Sequence, residues 1–247
     1  MEEQTSERAL VDEVRALLRE GEEDSLRIFL RLVRPEDIAG WLDLLDLEDR
    51  QRILAALDHE AAGTVLDDTT VSIRAELVDE LDPERLARIA QTMPADEAAD
   101  LIGELEVADS EQVLKHIAGE DAHVLRRLLR YPEDTAGGIM NPEVVALEPT
   151  ATVDDAIAHL RSIDPDTVTA SLYVVDATRR LLGFVRLRRL VTAHSSAQLG
   201  DIMSSDVISV RVDADQEEVA DLVDKYDFMA IPVVDDEGRL LGAVTVD

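Results

Sequence analysis

The 247-residue sequence contains no cysteine. Disulfides, thiolate zinc sites and cysteine nucleophiles are therefore excluded from its chemistry. Aromatic residues make up only 3% of the chain, so the core must be built from Leu, Val, Ile and Ala, which suits small helices and short buried strands. No apolar run reaches the length of a membrane span, and the acidic start Met1-Glu2-Glu3 does not read as a secretory signal. Positive charge is scarce: 24 Lys and Arg stand against 55 Asp and Glu, for a formal net charge of −31. Nucleic acid and anionic membrane surfaces both need basic surface, so neither is an expected partner. The five histidines show no metal-ligand spacing. A soluble, cytoplasmic chain is expected, although a soluble piece of a membrane protein has the same composition.

Apolar residues account for 46% of the sequence, enough for packed cores. The negative field opposes compaction, so cations or a basic partner should make the chain more compact. An acidic solubility surface, of the kind halophiles carry, accounts for the charge equally well at this level.

Residues 6–130 read as one short helix after another. Leu10, Val11, Val14, Leu17 and Leu18 share a helical face. Pro35-Glu36-Asp37, Asp82-Pro83-Glu84 and Pro94-Ala95-Asp96-Glu97 each open a helix, with Pro at the start and carboxylates near the positive end of the helix dipole. Segments ending in Leu57, Leu81 and Leu105 recur at a constant spacing, a period that fits stacked helical hairpins in a small superhelix. The run Tyr131-Pro132-Glu133-Asp134-Thr135-Ala136-Gly137-Gly138 breaks this pattern and predicts a flexible domain boundary.

Beyond it the period changes. Val144–Leu147 reads as a strand and Val153–Leu160 as an amphipathic helix. Leu172–Val175 and Leu182–Val185 read as two further strands, followed by a short helix near Arg188–Val191. The order then restarts. Ile139-Met140 matches Ile202-Met203, Val144-Val145 matches Val207-Ile208, and Thr152–Ala156 matches Asp215–Val219. Val174-Val175-Asp176 matches Val233-Val234-Asp235, and Leu181-Leu182-Gly183 matches Leu240-Leu241-Gly242. The offset between matched positions is constant over the first three pairs and smaller over the last two. One α/β unit is therefore written twice, with a shorter loop in the second copy.

The duplicated unit resembles a tandem pair of CBS (cystathionine-β-synthase) domains, most clearly at Ile231–Gly242 followed by Val244–Asp247. Such pairs are regulatory, often bind adenine nucleotides and dimerise. The helical repeat, the run Tyr131–Glu143, and Asp213–Val219 with Lys225-Tyr226-Asp227-Phe228 together resemble the cytosolic part of MgtE-type magnesium transporters. The implied fold is multidomain: an all-α superhelical hairpin-repeat domain over residues 1–130, a linker at 131–138, and a tandem CBS (βαββα) pair at 139–200 and 201–247. The second CBS unit reads as cut short at its end. In that family the chain continues into a membrane pore, so the sequence reads as a fragment lying at the cytoplasmic face of the membrane in the full-length protein.

The resemblance also implies ligands and partners. The cation is Mg²⁺, with Asp96 and Asp100 as metal candidates in the helical domain. Asp215, Glu217 and Asp227 are the CBS candidates, and the Gly137 carbonyl is a further one. Mg²⁺ prefers oxygen and keeps several waters, so one or two carboxylates per ion suffice. Taken singly, Asp96 also fits helix-dipole complementation and the others fit a solvated face. The expected partners are a second copy through the CBS domains and the transmembrane pore of the same full-length chain, with no nucleic acid.

ATP or another adenine nucleotide is the second ligand expected from the resemblance. CBS units commonly carry Ser/Thr-x-x-Asp after their last strand. Thr245 supplies the hydroxyl in the second repeat, while Arg186-Leu187-Arg188-Arg189 replaces the motif in the first. The arginines read as surface ion pairs, or as phosphate partners. No Gly-x-x-x-x-Gly-Lys-Ser/Thr or nucleophile elbow is present, so an enzyme is not expected. Three readings follow: a Mg²⁺-sensing region that gates a transporter pore, a nucleotide-binding CBS module acting on another partner, and a helical docking scaffold.

Overall fold

The computed structural model describes residues 2–163 and 171–245. Val246 and Asp247, expected in the last strand run, lie outside the described residues. The chain divides into two compact units, Met1–His123 and Val124–Asp247.

The first unit is helical. After α1 (Glu2–Glu20) come α2 (Glu23–Leu30), α3 (Pro35–Leu42), α4 (Leu47–Ala56), α5 (His59–Asp68) and α6 (Val71–Val78). They are followed by α7 (Pro83–Ala90), α8 (Ala95–Gly103), α9 (Val107–His116) and α10 (Gly119–Leu128), the last running across the division between the units. From α2 to α10 the helix starts are evenly spaced along the chain. The period read from Leu57, Leu81 and Leu105 spans two helices, one hairpin. Starts are set by local chemistry. Asp46, Asp58 and Asp82 each accept the backbone N–H of the third residue after them at 2.9–3.0 Å, and Pro35 and Pro83 open α3 and α7. Helices two apart in sequence pack together: α3 on α5, α5 on α7, α7 on α9, and α2 on α4, α4 on α6. That pairing makes the superhelix. Trp41, Ile38, Ile53, Leu66 and Ile89 are fully buried between them.

Arg50 and Arg74, one hairpin period apart, repeat one role. Arg50 Nε donates to the Leu42 carbonyl at the end of α3, and Arg50 pairs with Glu76 at 2.7 Å. Arg74 reaches the Leu66 carbonyl near the end of α5 and pairs with Glu104 at 2.5 Å. Each cation adds a donor at the negative end of a helix dipole.

The second unit holds two copies of one α/β motif. The first contains β1 (Ala146–Leu147), α11 (Val153–Leu160), β2 (Ser171–Val175), β3 (Leu181–Arg186) and α12 (Leu187–Thr192). After α13 (Leu199–Ile202) the second contains β4 (Val210–Arg211), α14 (Gln216–Tyr226), β5 (Ala230–Val234) and β6 (Leu240–Thr245). Each sheet has three strands, the first pair parallel and the second antiparallel. Val144, Val145, Val207 and Ile208, expected in strands, lie just ahead of them. The Glu143 amide donates to the Asn141 side chain at 2.8 Å and Val144 N to Pro142 O at 3.0 Å, a local turn that delays β1.

The halves are laced together. The Asn141 lead-in bonds Ala243 of β6 in both directions, and Ser204 bonds Phe184 of β3 in the same way. This crossing explains the glycine in each Leu-Leu-Gly. A Cβ on Gly183 would stand 2.6 Å from the Ser204 carbonyl oxygen, and one on Gly242 2.5 Å from that of Asn141. Tyr173 and Val175 pack with Leu240 and Ala243 in a shared apolar cluster.

Candidate functional site

Asp215 is the N-cap of α14. Its carboxylate accepts the Glu217 amide at 2.8 Å, and Glu217 and Glu218 follow in the first helical turn. Three exposed carboxylates therefore cluster at the positive end of one helix dipole. Asp213, just ahead, is engaged elsewhere. Arg211 binds it at 2.9 Å and also contacts Asp236, and the hydrogen bond from Arg211 holds the Asp213 carboxyl below its usual range.

Residues 131–138 lie against this helix start. Gln216 N donates to Asp134 O at 2.9 Å, Ala136 N to Ala214 O at 2.8 Å, and Gly137 N to Val212 O at 2.9 Å. Ala136, Gly137 and Gly138 are buried. Neither glycine adopts a positive φ. Their lack of a side chain serves close approach: a Cβ on Gly137 would meet Val212 Cγ2 at 2.7 Å, and one on Gly138 would meet Glu133 Cα at 2.9 Å. The flexible hinge read from Gly-Gly is, on the α/β unit, a packed and hydrogen-bonded segment.

Asp227 stands apart from Asp215 and Glu217. It closes α14 at the C-cap in the left-handed region (φ 54°), its N–H bonded to Val223 O at 2.8 Å. The whole of α14 separates the two ends, roughly 16 Å at the usual rise. Asp227 instead borders a cleft of about 390 Å³ formed by both halves of the unit. Tyr173, Phe184 and Arg186 line one side, and Asp206, Tyr226 and Phe228 the other. Tyr226 and Phe228 stack at 5.4 Å, and the Arg186 guanidinium lies 5.6 Å over Phe184. Burial pushes the Tyr173 phenol up to about 12, so it stays protonated. A flat aromatic ring and an anionic group both find partners there.

Asp96 and Asp100 lie on α8 of the helical unit. Asp96 is in the first turn with one carboxylate oxygen buried, and Asp100 is exposed one turn on. Thr245 ends β6 opposite Ala230 and is not among the residues lining the cleft. Arg186, its counterpart opposite Ser171, is. In the sequence Arg186 stands in place of the expected hydroxyl and reads as a surface ion pair or a phosphate partner, with nothing to place it in a cleft. Tyr173 and Phe184 carry no signal there beyond lying in expected strands, and Tyr226 stands in a motif of the resemblance without being read as part of a cleft. Among the described residues no cluster of three His, Asp or Glu is arranged to hold a metal ion.

Two family matches meet between residues 134 and 136. Residues 33–134 match the MgtE intracellular N domain, and residues 136–196 and 199–247 each match the CBS domain. The solved cytosolic domain of the Mg²⁺ channel MgtE, in complex with ATP, superposes with a TM-score of 0.90 at 36% identity, over 96% of this chain and 97% of that one. This chain belongs to the MgtE family. The magnesium transporter MgtE of Thermus thermophilus is 38% identical over 98% of the chain, and that of Bacillus subtilis 28% over 94%. These MgtE relatives are transporters, not enzymes. The chain spans about half the length of the curated relatives it matches, 54% and 51% for these two. Among the described residues no helix is long and apolar enough to cross a membrane.

Proposed function

We propose that this MgtE-family chain is the Mg²⁺-sensing regulatory region of a magnesium transporter, lying at the cytoplasmic face of the membrane. Mg²⁺ taken up at Asp96, Asp100, Asp215, Glu217 and Asp227, with the Gly137 carbonyl, holds the helical and CBS units in a closed state. Closure, with pairing of two copies through their CBS domains, keeps the pore of the full-length protein shut. The observation that carries this reading is the acidic start of α14. Asp215 occupies the place that the neutral Thr152 fills at the start of α11, so the second copy adds negative charge where capping alone does not require it. In a chain of net charge −31, carboxylates at low cation concentration repel, and hydrated divalent ions relieve that repulsion at modest affinity. Small-angle scattering through a Mg²⁺ titration tests it. The radius of gyration should fall with added Mg²⁺ at constant ionic strength, and an unchanged radius sinks the idea.

The cleft supports a second, compatible role, binding of ATP or another adenine nucleotide. Tyr226 and Phe228 offer a ring surface, and Arg186 a charge for phosphate. Titration calorimetry with ATP, ADP and AMP tests this role. Binding lost on Arg186→Ala supports it, and no heat with any of the three nucleotides removes it.

A further inference from the structure

We propose that the segment Tyr131–Gly138 is a strap that positions Asp215 and Glu217, rather than slack between two domains. The inference rests on the cation reading of those two residues.

The internal symmetry of the α/β unit provides the argument. In the first half, α11 is held at its start by residues 197–200. Val153 N donates to Ala197 O at 3.0 Å, Leu199 N to Ala151 O at 2.8 Å, and Gly200 N to Pro149 O at 2.9 Å. In the second half the same bonds recur in register: Gln216 N to Asp134 O, Ala136 N to Ala214 O, Gly137 N to Val212 O. The bridge Thr152–Gln198 is repeated as Asp215–Thr135. Gly200 corresponds to Gly137; a Cβ would overlap Val212 Cγ2 at 2.7 Å at Gly137 and press on Pro149 at 3.2 Å at Gly200. The chemistry of the two clasps is the same, but the chain supplying them is not. The first clasp comes from the connection between the halves. The second is the stretch that follows directly on α10 (Gly119–Leu128), the helix that runs across the division between the two units.

The strap is internally braced for this. The Thr135 hydroxyl donates to Pro132 O at 2.7 Å and accepts from Gly138 N at 3.3 Å, while Gly138 N also donates to Thr135 O at 2.9 Å. Gly138 is pressed against Pro132 O and Glu133 Cα, so the turn closes only with glycine there. Gly138, Gly137 and Thr135 are positioning residues. They act on the candidate cation site through the backbone at residues 212–216.

Hydrogen exchange on the full 247-residue chain tests the proposal, with Gly138→Ala as the principal variant and Gly200→Ala, at the counterpart of Gly137, as the comparison in the first clasp. Without Mg²⁺, Gly138→Ala should speed exchange of amides 214–219 about tenfold while leaving 153–156 unchanged, and Gly200→Ala should do the reverse. Equal effects of both variants on both helix starts, or no effect of Gly138→Ala on 214–219, overturns the strap. The Mg²⁺ midpoint for compaction should rise about three- to tenfold in Gly138→Ala. An unmoved midpoint with altered exchange overturns the positioning role. If the wild type shows no Mg²⁺ response at all, the cation reading fails while the exchange arm still decides the strap. Should Gly138→Ala not fold, Thr135→Val removes only the two hydroxyl bonds and should give the same pattern in weaker form.

Discussion

The two halves of the α/β unit share an architecture and differ where ligands would act. Both build a three-stranded sheet around a helix, and both send a lead-in across to the other half's last strand. At the first helix start stands Thr152, in a reciprocal capping box with Asp155; at the second stands Asp215, with Glu217 and Glu218 beside it. At the end of the last strand stands Arg186 in one half and Thr245 in the other. In the turn before that strand Arg179 (φ 65°) takes the left-handed conformation that Gly238 (φ 77°) takes in the second. Interior positions are interchangeable because both halves need the same packing. The exchanged surface residues carry the difference in charge.

The largest effects should come from the shared interior. Leu172 and Ile231 are equivalent and fully buried, so Leu172→Ala and Ile231→Ala should each cost about 2–5 kcal/mol. Because Tyr173, Val175, Leu240 and Ala243 form one cluster across the halves, either variant should lower a single calorimetric transition of this unit. Two separate transitions would break the comparison at its root. Next come the crossing glycines. Gly183→Ala and Gly242→Ala each force a Cβ onto a carbonyl oxygen and should cost about 1–3 kcal/mol by overpacking. Denaturant midpoints for the pair should agree closely, and a large disparity would mean that the two crossings are not equivalent.

Much of this was legible in the sequence, and the exceptions have physical causes. Periodic leucines marked the helical unit. The ordered recurrence of apolar pairs, Val174-Val175 and Val233-Val234 among them, marked the duplication, because repeated packing demands repeated apolar positions. The role of Gly137-Gly138 was not legible. Glycine serves flexibility and close approach equally well; Val212, which decides for Gly137, is far along the chain, and the turn that brings Pro132 and Glu133 onto Gly138 is formed only in the fold. Asp215, Glu217 and Asp227 looked like one acidic group. Helix α14 separates the last from the others, and the chain spacing does not announce that a cleft forms at Asp227 from the opposite half. Between a surface ion pair and a phosphate partner the sequence does not decide for Arg186, because its setting, over Phe184 and in one cleft with Tyr226 and Phe228, is assembled only by the fold.

Smaller effects separate the two helix starts. Thr152→Ala should cost about 1 kcal/mol by loss of the N-cap, and Asp215→Ala a similar amount, read from urea midpoints. Acid should distinguish them. The Thr152 hydroxyl, then its amide, holds the Asp155 carboxyl below the ordinary carboxylate range. A carboxyl lowered on folding stabilises the fold fully above its unfolded value and loses that contribution as pH falls through the lower, folded one. Denaturation midpoints of the wild type should therefore decline below about pH 4, and Asp155→Asn should flatten part of that decline. An unchanged acid profile in Asp155→Asn would remove the capping box from the account.

The smallest change in stability should come from the most informative exchange, Asp215→Thr. Threonine is itself a good N-cap, and Thr152 shows that the α/β motif accepts one at this place. Folding stability should shift by no more than about 0.5 kcal/mol, since both side chains cap. If Asp215 only caps α14, the Mg²⁺ titration of the variant should overlay that of the wild type. If Asp215 takes part in cation uptake, the midpoint should rise about tenfold, because a carboxylate is exchanged for a neutral hydroxyl next to a hard divalent ion. The reciprocal variant, Thr152→Asp, supplies the control. It places a carboxylate beside Asp154 and Asp155 at the start of α11, where the clasp comes from residues 197–200 and not from the strap. A gain of Mg²⁺-dependent compaction in Thr152→Asp would mean that acidity alone suffices. No gain there, with a loss in Asp215→Thr, would tie the response to the one helix start that the strap holds.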